Sequence, residues 1–206
     1  MTYTCVIASY KYGHLASHAI ESVLAQTKKF DKILFVDDGA RDCFNLTELY
    51  PEVEYVFRIK NLGTVDNFQD MLNKVDTDYV MFLGADNWLA ENTLEILSNV
   101  EGDIRMYDIA VVGESRNEII KRHPGEVTDK GAYLHWSRQG GHHGSMLYKT
   151  ELAKSVGGYN DGYGERTLED KSLFNRMTNA GAKVTHTPLP LLYYRRHRTN
   201  FNPVKS

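Results

Sequence analysis

Acidic and imidazole side chains stand at several points of this 206-residue chain where chemistry is feasible: Asp37, Asp38, Asp86, Glu169, Asp170 and His197. Asp86 follows an apolar run at 79–83 (YVMFL) through Gly84-Ala85. A hard divalent cation bound to a diphosphate needs few protein ligands, because phosphate oxygens and waters fill its other positions. A carboxylate on a rigid strand end meets that need, whereas the plainer alternative is a cap on the turn into the next helix. Asp37-Asp38 offer acceptors to the base or ribose hydroxyls of a nucleotide. Taken alone the pair is turn chemistry before Gly39, and it gains weight from lying at the end of a second strand.

Thr167-Leu168-Glu169-Asp170 has two explanations. Thr167 and Asp170 fit an N-cap with its N3 partner, and Asp170 equally fits a catalytic carboxylate at a helix N-terminus. His142 and His143 lie in the glycine-rich stretch 139–145 (QGGHHGS), where they line an acceptor pocket, bind metal or stand in solvent. His197 lies among Arg195, Arg196 and Arg198. Guanidinium forks suit phosphate oxygens, and a neutral imidazole completes a metal site. A solvated basic tail is the alternative, which Tyr193 and Tyr194 oppose by anchoring the segment.

The elements that must position these groups follow from hydrophobic patterning. Residues 3–9 (YTCVIAS), 32–36 (KILFV) and 79–83 read as buried strands, with a shorter strand at 54–59. Leu15, Ala19, Ile20, Val23 and Leu24 share one helical face, as do Val65, Phe68, Met71, Leu72 and Val75. Asn92 and Glu95 fit a capping box for a further helix. Strand–helix–strand alternation predicts a parallel sheet with right-handed crossovers, in which ligands bind beyond the carboxyl ends of the strands. Ser9-Tyr10, Asp37-Asp38 and Asp86-Asn87 all lie at such ends. In the second half, strands are expected at 108–113 and 117–121, and a helix through Leu173, Phe174, Met177 and Ala180 closed by Gly181. Residues 183–194 read as extended, and Pro188 and Pro190 suit an edge or crossing segment.

Bulk properties narrow the class. Apolar content of 42% and charged content of 25% are those of a globular chain with a substantial core. A net charge of −3 gives no basic field for nucleic acid, so no stable nucleic-acid complex is expected. Two distant cysteines, Cys5 and Cys43, make no disulfide framework and point to a reducing compartment. No signal peptide and no apolar run of transmembrane length is read. A cytoplasmic location follows as an expectation, with peripheral membrane contact and oligomeric state left open.

Taken in order, these motifs resemble family 2 glycosyltransferases of the GT-A fold over nearly the whole chain. VIASYKYGHLASHAIESVLAQT is similar to the family's first strand, loop and helix, down to Ser22-Val23-Leu24-Ala25-Gln26-Thr27. ILFVDDGA resembles its second strand, and YVMFLGADNWLAENTLE its metal-motif strand and following helix. GGYNDGYGERTLEDKSLFNRM resembles the acceptor loop running into a Glu-Asp motif, and LLYYRRHRTN the Tyr-Arg-x-His segment. The resemblance implies an α/β, Rossmann-like, mostly parallel central sheet flanked by helices, with a smaller mixed acceptor-side region. It implies one domain over 1–206, with a nucleotide-binding half at 1–100 and an acceptor-binding half at 101–206.

It further implies a nucleotide-sugar donor, a UDP-sugar, bordered by Ala8, Ser9, Tyr10, Asp37, Asp38, Asn67, Ala85, Asp86 and Arg195, with Asp38 accepting from the uracil N3–H. Mn²⁺ or Mg²⁺ would be held by Asp86 and His197. Gly141, His142 and His143 would face a glycan or glycolipid acceptor, as in polysaccharide biosynthesis. Asp170, beside Glu169, would be the general base of an inverting transfer, a role worth about 10²–10⁴-fold. The chain departs from the family pattern at Gly84 and Asn87, where the family carries Asp, and at Ala8, where it carries Pro or Thr. Those departures keep a non-catalytic nucleotide-sugar-binding module as an alternative. A sugar nucleotidyltransferase is a further one, although 10–14 (YKYGH) lacks the glycine-rich phosphate cradle that chemistry wants.

Overall fold

The computed structural model describes residues 1–113, 121–123, 145–159 and 169–197. Strand β1 (Tyr3–Ser9) is buried along nearly its whole length, as a central parallel strand covered on both faces must be. Helix α1 (Gly13–Leu24) packs on it through Ala16, Ala19, Ile20 and Val23, while Leu15 and Leu24 flank that stripe half-buried. The chain then runs through β2 (Lys32–Asp37), a short α2 (Leu46–Leu49) and β3 (Glu54–Phe57). β3 stops two residues short of the expected strand. Arg58 N–H still reaches the Asp37 carbonyl, but Ile59 is exposed. Helix α3 (Thr64–Lys74) buries Phe68, Met71 and Leu72, and β4 (Tyr79–Gly84) returns through the middle of the sheet.

β5 (Trp88–Leu89), α4 (Thr93–Ser98), β6 (Ile104–Gly113), β7 (Lys121–His123), β8 (Met146–Lys149), α5 (Thr150–Ser155), α6 (Glu169–Asn179) and β9 (Val184–Arg196) complete the described elements. The sheet order is β3-β2-β1-β4-β8-β6-β9-β5, with β7 beside β6. The first four strands pair in parallel. β8 is antiparallel to both β4 and β6, and β9 is parallel to β6. A Rossmann-like parallel half is thus continued by a mixed half.

β6 begins four residues before the strand expected at 108. Arg105 breaks the apolar pattern there, yet it is buried. Its guanidinium stacks 4.1 Å from the Tyr79 ring centroid and donates to the Leu97 carbonyl at 2.9 Å. The strand expected at 117–121 falls almost wholly outside the described residues, as does Thr167 of the suggested capping box. β9 is no edge or crossing segment, because β6 and β5 flank it. Its prolines are accommodated by shifts of register: Thr187 lies opposite Tyr107, Pro190 opposite Asp108 and Leu192 opposite Ile109.

The capping box expected at Asn92 and Glu95 does not form. Asn92 makes no side-chain cap hydrogen bond, and Glu95 Oε2 accepts from Thr27 Oγ1 at 2.7 Å instead. Tertiary partners from α1 do the capping. Gln26 Oε1 accepts from Leu94 N–H at 3.0 Å, and its Nε2 donates to the Ala90 carbonyl at 2.7 Å. Ser22 Oγ accepts from Leu89 N–H at 3.1 Å. Ser22 and Gln26, one helical turn apart, therefore clamp the segment that follows β4, which explains the Ser-Val-Leu-x-Gln-Thr motif physically.

Candidate functional site

The carboxyl ends of β1, β2 and β4 lie side by side, with Ser9 opposite Asp37 and Ala8 opposite Gly84 in register. Asp86 leaves β4 by a turn closed from Asn87 N–H to the Gly84 carbonyl at 3.0 Å. Its Oδ2 lies 3.2 Å from His197 Nε2, and both side chains are buried. Residues more than a hundred positions apart meet because β9 is stapled to this turn. Arg195 N–H donates to Asn87 Oδ1 at 2.9 Å, and Arg195 Nε donates to the Asp86 carbonyl at 2.9 Å. Tyr12, on the loop after β1, meets the His197 ring edge-on at 5.4 Å.

Gly84 has a steric reason to be glycine. A Cβ there would lie 2.7 Å from Asp86 Oδ1 and 2.9 Å from Asn87 Nδ2. The Asp86 carboxylate occupies the space that a side chain at 84 would take. A buried carboxylate oxygen and an imidazole nitrogen so close together form a donor pair for a small divalent cation, and the cradle over Gly84 leaves the carboxylate room to serve it.

Asp38 differs from the expectation placed on it. Its Oδ1 accepts from Leu62 N–H at 3.0 Å, and its Oδ2 from Asn61 Nδ2 at 2.9 Å and Gly63 N–H at 3.2 Å. Arg58 Nε lies 3.5 Å from Oδ1. A carboxylate has about four acceptor positions, so a base N–H would compete with these donors. Asp38 builds the 61–63 turn at the rim of the site. Burial pushes its carboxyl above the ordinary range, opposed by the Leu62 and Gly63 N–H groups and then by Arg58. Asn67 is buried in the same network, its Oδ1 accepting from Arg58 Nε at 2.8 Å, while Arg58 Nη2 donates to Asp70 at 2.7 Å. Both residues hold the wall together.

Asp37 is buried and its Oδ1 accepts from Ala40 N–H at 2.8 Å, while its Oδ2 has no hydrogen-bond partner. Donor atoms of Asp37, Asp42 and Cys43 lie within 4.8 Å of one another, a grouping that sequence reading missed although Asp-Cys follows the Asp-Asp-Gly turn closely. Burial pushes the Cys43 thiol up to about 12. A protonated sulfur is a poor ligand for a hard cation, so Asp86 and His197 are the better pair. Ser9 Oγ lies 3.6 Å from that thiol. Ala8 and Ala85 meet through backbone, Ala85 N–H donating to the Ala8 carbonyl at 2.9 Å. Tyr10 is partly exposed beyond β1, with Lys11 Nζ 5.0 Å from its ring centroid.

Glu169 and Asp170 occupy the first turn of α6, where the helix dipole favours negative charge. The charge of Asp170 is felt at Tyr148 on β8, whose hydroxyl bonds Tyr159 at 2.8 Å. Gly141, His142 and His143 lie outside the described residues. His18, Trp88 and Asn87 are site residues that the sequence did not single out. Trp88 directly follows the Asp86-Asn87 pair, which was the available signal, whereas His18 sits on a helix face with none.

The sequence profile described as "Glycosyl transferase family 2" matches residues 4–157. A glycosyltransferase GlyA of Streptococcus pneumoniae is 25% identical over 99 residues, covering 46% of this chain and 14% of its own length. The S. aureus TarS 1-349 crystal structure superposes with a TM-score of 0.70 at 18% identity, over 95% of this chain and 61% of that one. The same protein in complex with UDP gives 0.74 at 15% identity, over 96% and 61%. Its complex with UDP-GlcNAc gives 0.74 at 15%, over 97% and 60%. The chain thus spans about three fifths of the TarS structures and a smaller part of GlyA. At these identities the likeness shows the fold, which is GT-A.

Proposed function

The chain belongs to glycosyl transferase family 2, and from that premise we propose that it moves a sugar from UDP-sugar to an acceptor hydroxyl, inverting the anomeric carbon. The observation that carries this reading is the buried pair of Asp86 Oδ2 and His197 Nε2, 3.2 Å apart beyond the carboxyl end of β4. Similarity to a GT-A protein seen with UDP and with UDP-GlcNAc supports the uridine donor. The nucleoside would lie across the ends of β1 and β2, between Ser9, Tyr10, Asp37 and the 61–63 turn that Asp38 organises. The whole of 1–206 serves as one unit in this reading, with the donor on the 1–100 half and the acceptor on the 101–206 half.

Asp86 and His197 would hold Mn²⁺ or Mg²⁺, and the imidazole favours Mn²⁺. Bound there, the ion supplies positive charge to the diphosphate leaving group. Asp170 takes the proton of the acceptor hydroxyl, whose oxygen bonds to the anomeric carbon as the carbon–phosphate-oxygen bond breaks. The electron pair of that bond leaves on the diphosphate. Arg195 keeps the Asp86 turn in place, and Glu169 adjoins the base on α6. Gly141, His142 and His143 would border a glycan or glycolipid acceptor. A cytoplasmic site of action fits the two buried free thiols. Among the described residues no helix is long and apolar enough to cross a membrane.

The test is titration of UDP in the presence and absence of Mn²⁺, followed by release of sugar from UDP-GlcNAc and other UDP-sugars. Asp170→Asn is expected to lower turnover about 10²–10⁴-fold and leave UDP affinity within about threefold. Equal UDP affinity with Mn²⁺ and with EDTA would remove the metal from the mechanism. Wild-type turnover in Asp170→Asn would remove the assigned base.

A further inference from the structure

A single face of α1 runs along the segment after β4. Ser22 and Gln26 on that face bond residues 89, 90 and 94, and His18 is the next position one turn earlier. The His18 ring stacks on Trp88, 4.5 Å between centroids at 24°. Trp88 stacks in turn on Tyr193, 5.2 Å away at 8°, its partner across the β5–β9 pair. The Arg195 guanidinium lies 4.7 Å from the centroid of Trp88, and one of its terminal nitrogens is 2.9 Å from His18 Nδ1. An arginine can only donate, so His18 Nδ1 is the acceptor and the imidazole is neutral. The same guanidinium donates from Nε to the Asp86 carbonyl.

We propose that His18 is a positioning residue for the cation site. Its Nδ1 fixes the rotation of the Arg195 guanidinium, and the guanidinium fixes the peptide plane between Asp86 and Asn87 from which the Asp86 carboxylate is aimed. A planar fork with two of its nitrogens committed at 2.9 Å cannot rotate without losing both bonds. Arg195, expected from sequence at the diphosphate, thus acts on the carboxylate that faces it. Metal ligands held in this indirect way lose about 10–100-fold in affinity when the supporting contact goes. Burial and then the neighbouring Arg195 charge push the His18 imidazole below its ordinary range, with Glu21 opposing, which agrees with the neutral acceptor.

The inference rests on Asp86 being a cation ligand, so its test has one arm that needs no metal. His18→Phe keeps a ring against Trp88 and removes the acceptor. His18→Asn places an amide oxygen where Nδ1 stood and removes the ring. In the metal-free protein, the ¹⁵N-resolved Arg195 Nε–H, assigned by its loss in Arg195→Lys, is expected to exchange with solvent about tenfold faster in His18→Phe. In His18→Asn it should stay near the wild-type rate. In the second arm, Mn²⁺ affinity in the presence of UDP is expected to fall at least about tenfold in His18→Phe and to be largely kept in His18→Asn. Unchanged Arg195 exchange in His18→Phe overturns the proposal, and so does faster exchange with unchanged Mn²⁺ affinity. Equal losses in both variants overturn it too, by making the ring stack responsible. A wild-type protein that binds no Mn²⁺ with UDP overturns the donor reading and, with it, the cation-aiming role; the exchange arm then still reports whether His18 holds Arg195.

Discussion

Asp86→Asn separates the role of this carboxylate in ligand binding from its role in the fold. Asn keeps the volume, and its amide oxygen accepts from His197 Nε2–H where Asp86 Oδ2 does at 3.2 Å. The free protein should therefore lose no more than about 1 kcal/mol. With UDP and Mn²⁺ at about 100 times Kd, the wild-type protein gains about 2.7 kcal/mol. For a chain of this length that raises Tm by about 5–11 °C. Removing the anionic member of the ligand pair at the same concentrations, with Kd raised about 100-fold, leaves a gain of about 0.4 kcal/mol and a shift of about 1–2 °C. Differential scanning fluorimetry with UDP, Mn²⁺ and an EDTA control measures all of these. A full shift in Asp86→Asn, or a wild-type shift that survives EDTA, would refute the reasoning.

Asp38→Ala strands the N–H groups of Leu62 and Gly63 and the Asn61 amide, and should cost about 2–4 kcal/mol in urea unfolding. Gly84→Ala drives a methyl towards Asp86 Oδ1 and Asn87 Nδ2. Both are ends of side chains that can turn aside, so calorimetry should show Mn²⁺–UDP affinity reduced about tenfold while Tm falls by less than about 4 °C. The Lys149 ammonium, 2.7 Å away, and the Lys183 N–H hold the Asp103 carboxyl below its ordinary range against the effect of burial. The stability this lends is present above the unfolded carboxyl value of about 3.9 and is lost as pH falls through the lower folded value. Asp103→Asn should thus flatten the acid limb of the Tm–pH profile below pH ~4 and leave the neutral region's slope unchanged.

The parallel half was legible because its strands are buried on both faces and appear as unbroken apolar runs, and because α1 and α3 carry clean helical stripes. The mixed half hid itself for local reasons. Arg105 interrupts β6 as read from composition, yet the Tyr79 ring and the Leu97 carbonyl accept it into the core. β5 is two residues long and carries no periodicity of its own. It exists because β9 offers it a partner and Ser22 anchors it. Asp86 and His197 were legible as residue types at strand ends, since few other groups suit a cation there. Asp38 was legible as chemistry but not as to its partners, because its occupants come from a turn 23–25 positions later. His18 had no signal at all: what matters is one nitrogen facing an arginine 177 positions away.

The irregular stretch of β9 carries a consequence for insertions and deletions. Between Thr187 and Leu192 the strand advances five steps while β6 advances two, from Tyr107 to Ile109. The surplus is odd, and side chains alternate faces at every step of a strand. Loss of one of those surplus residues would send the tail of β9 into the turn with Tyr193 and the arginine pair facing the wrong way. Loss of all three would again be an odd change, and would also move His197 about 10 Å relative to Asp86. The prolines beside this kink therefore act as a spacer of defined length and phase, and the imidazole arrives at the carboxylate because that spacer is neither longer nor shorter.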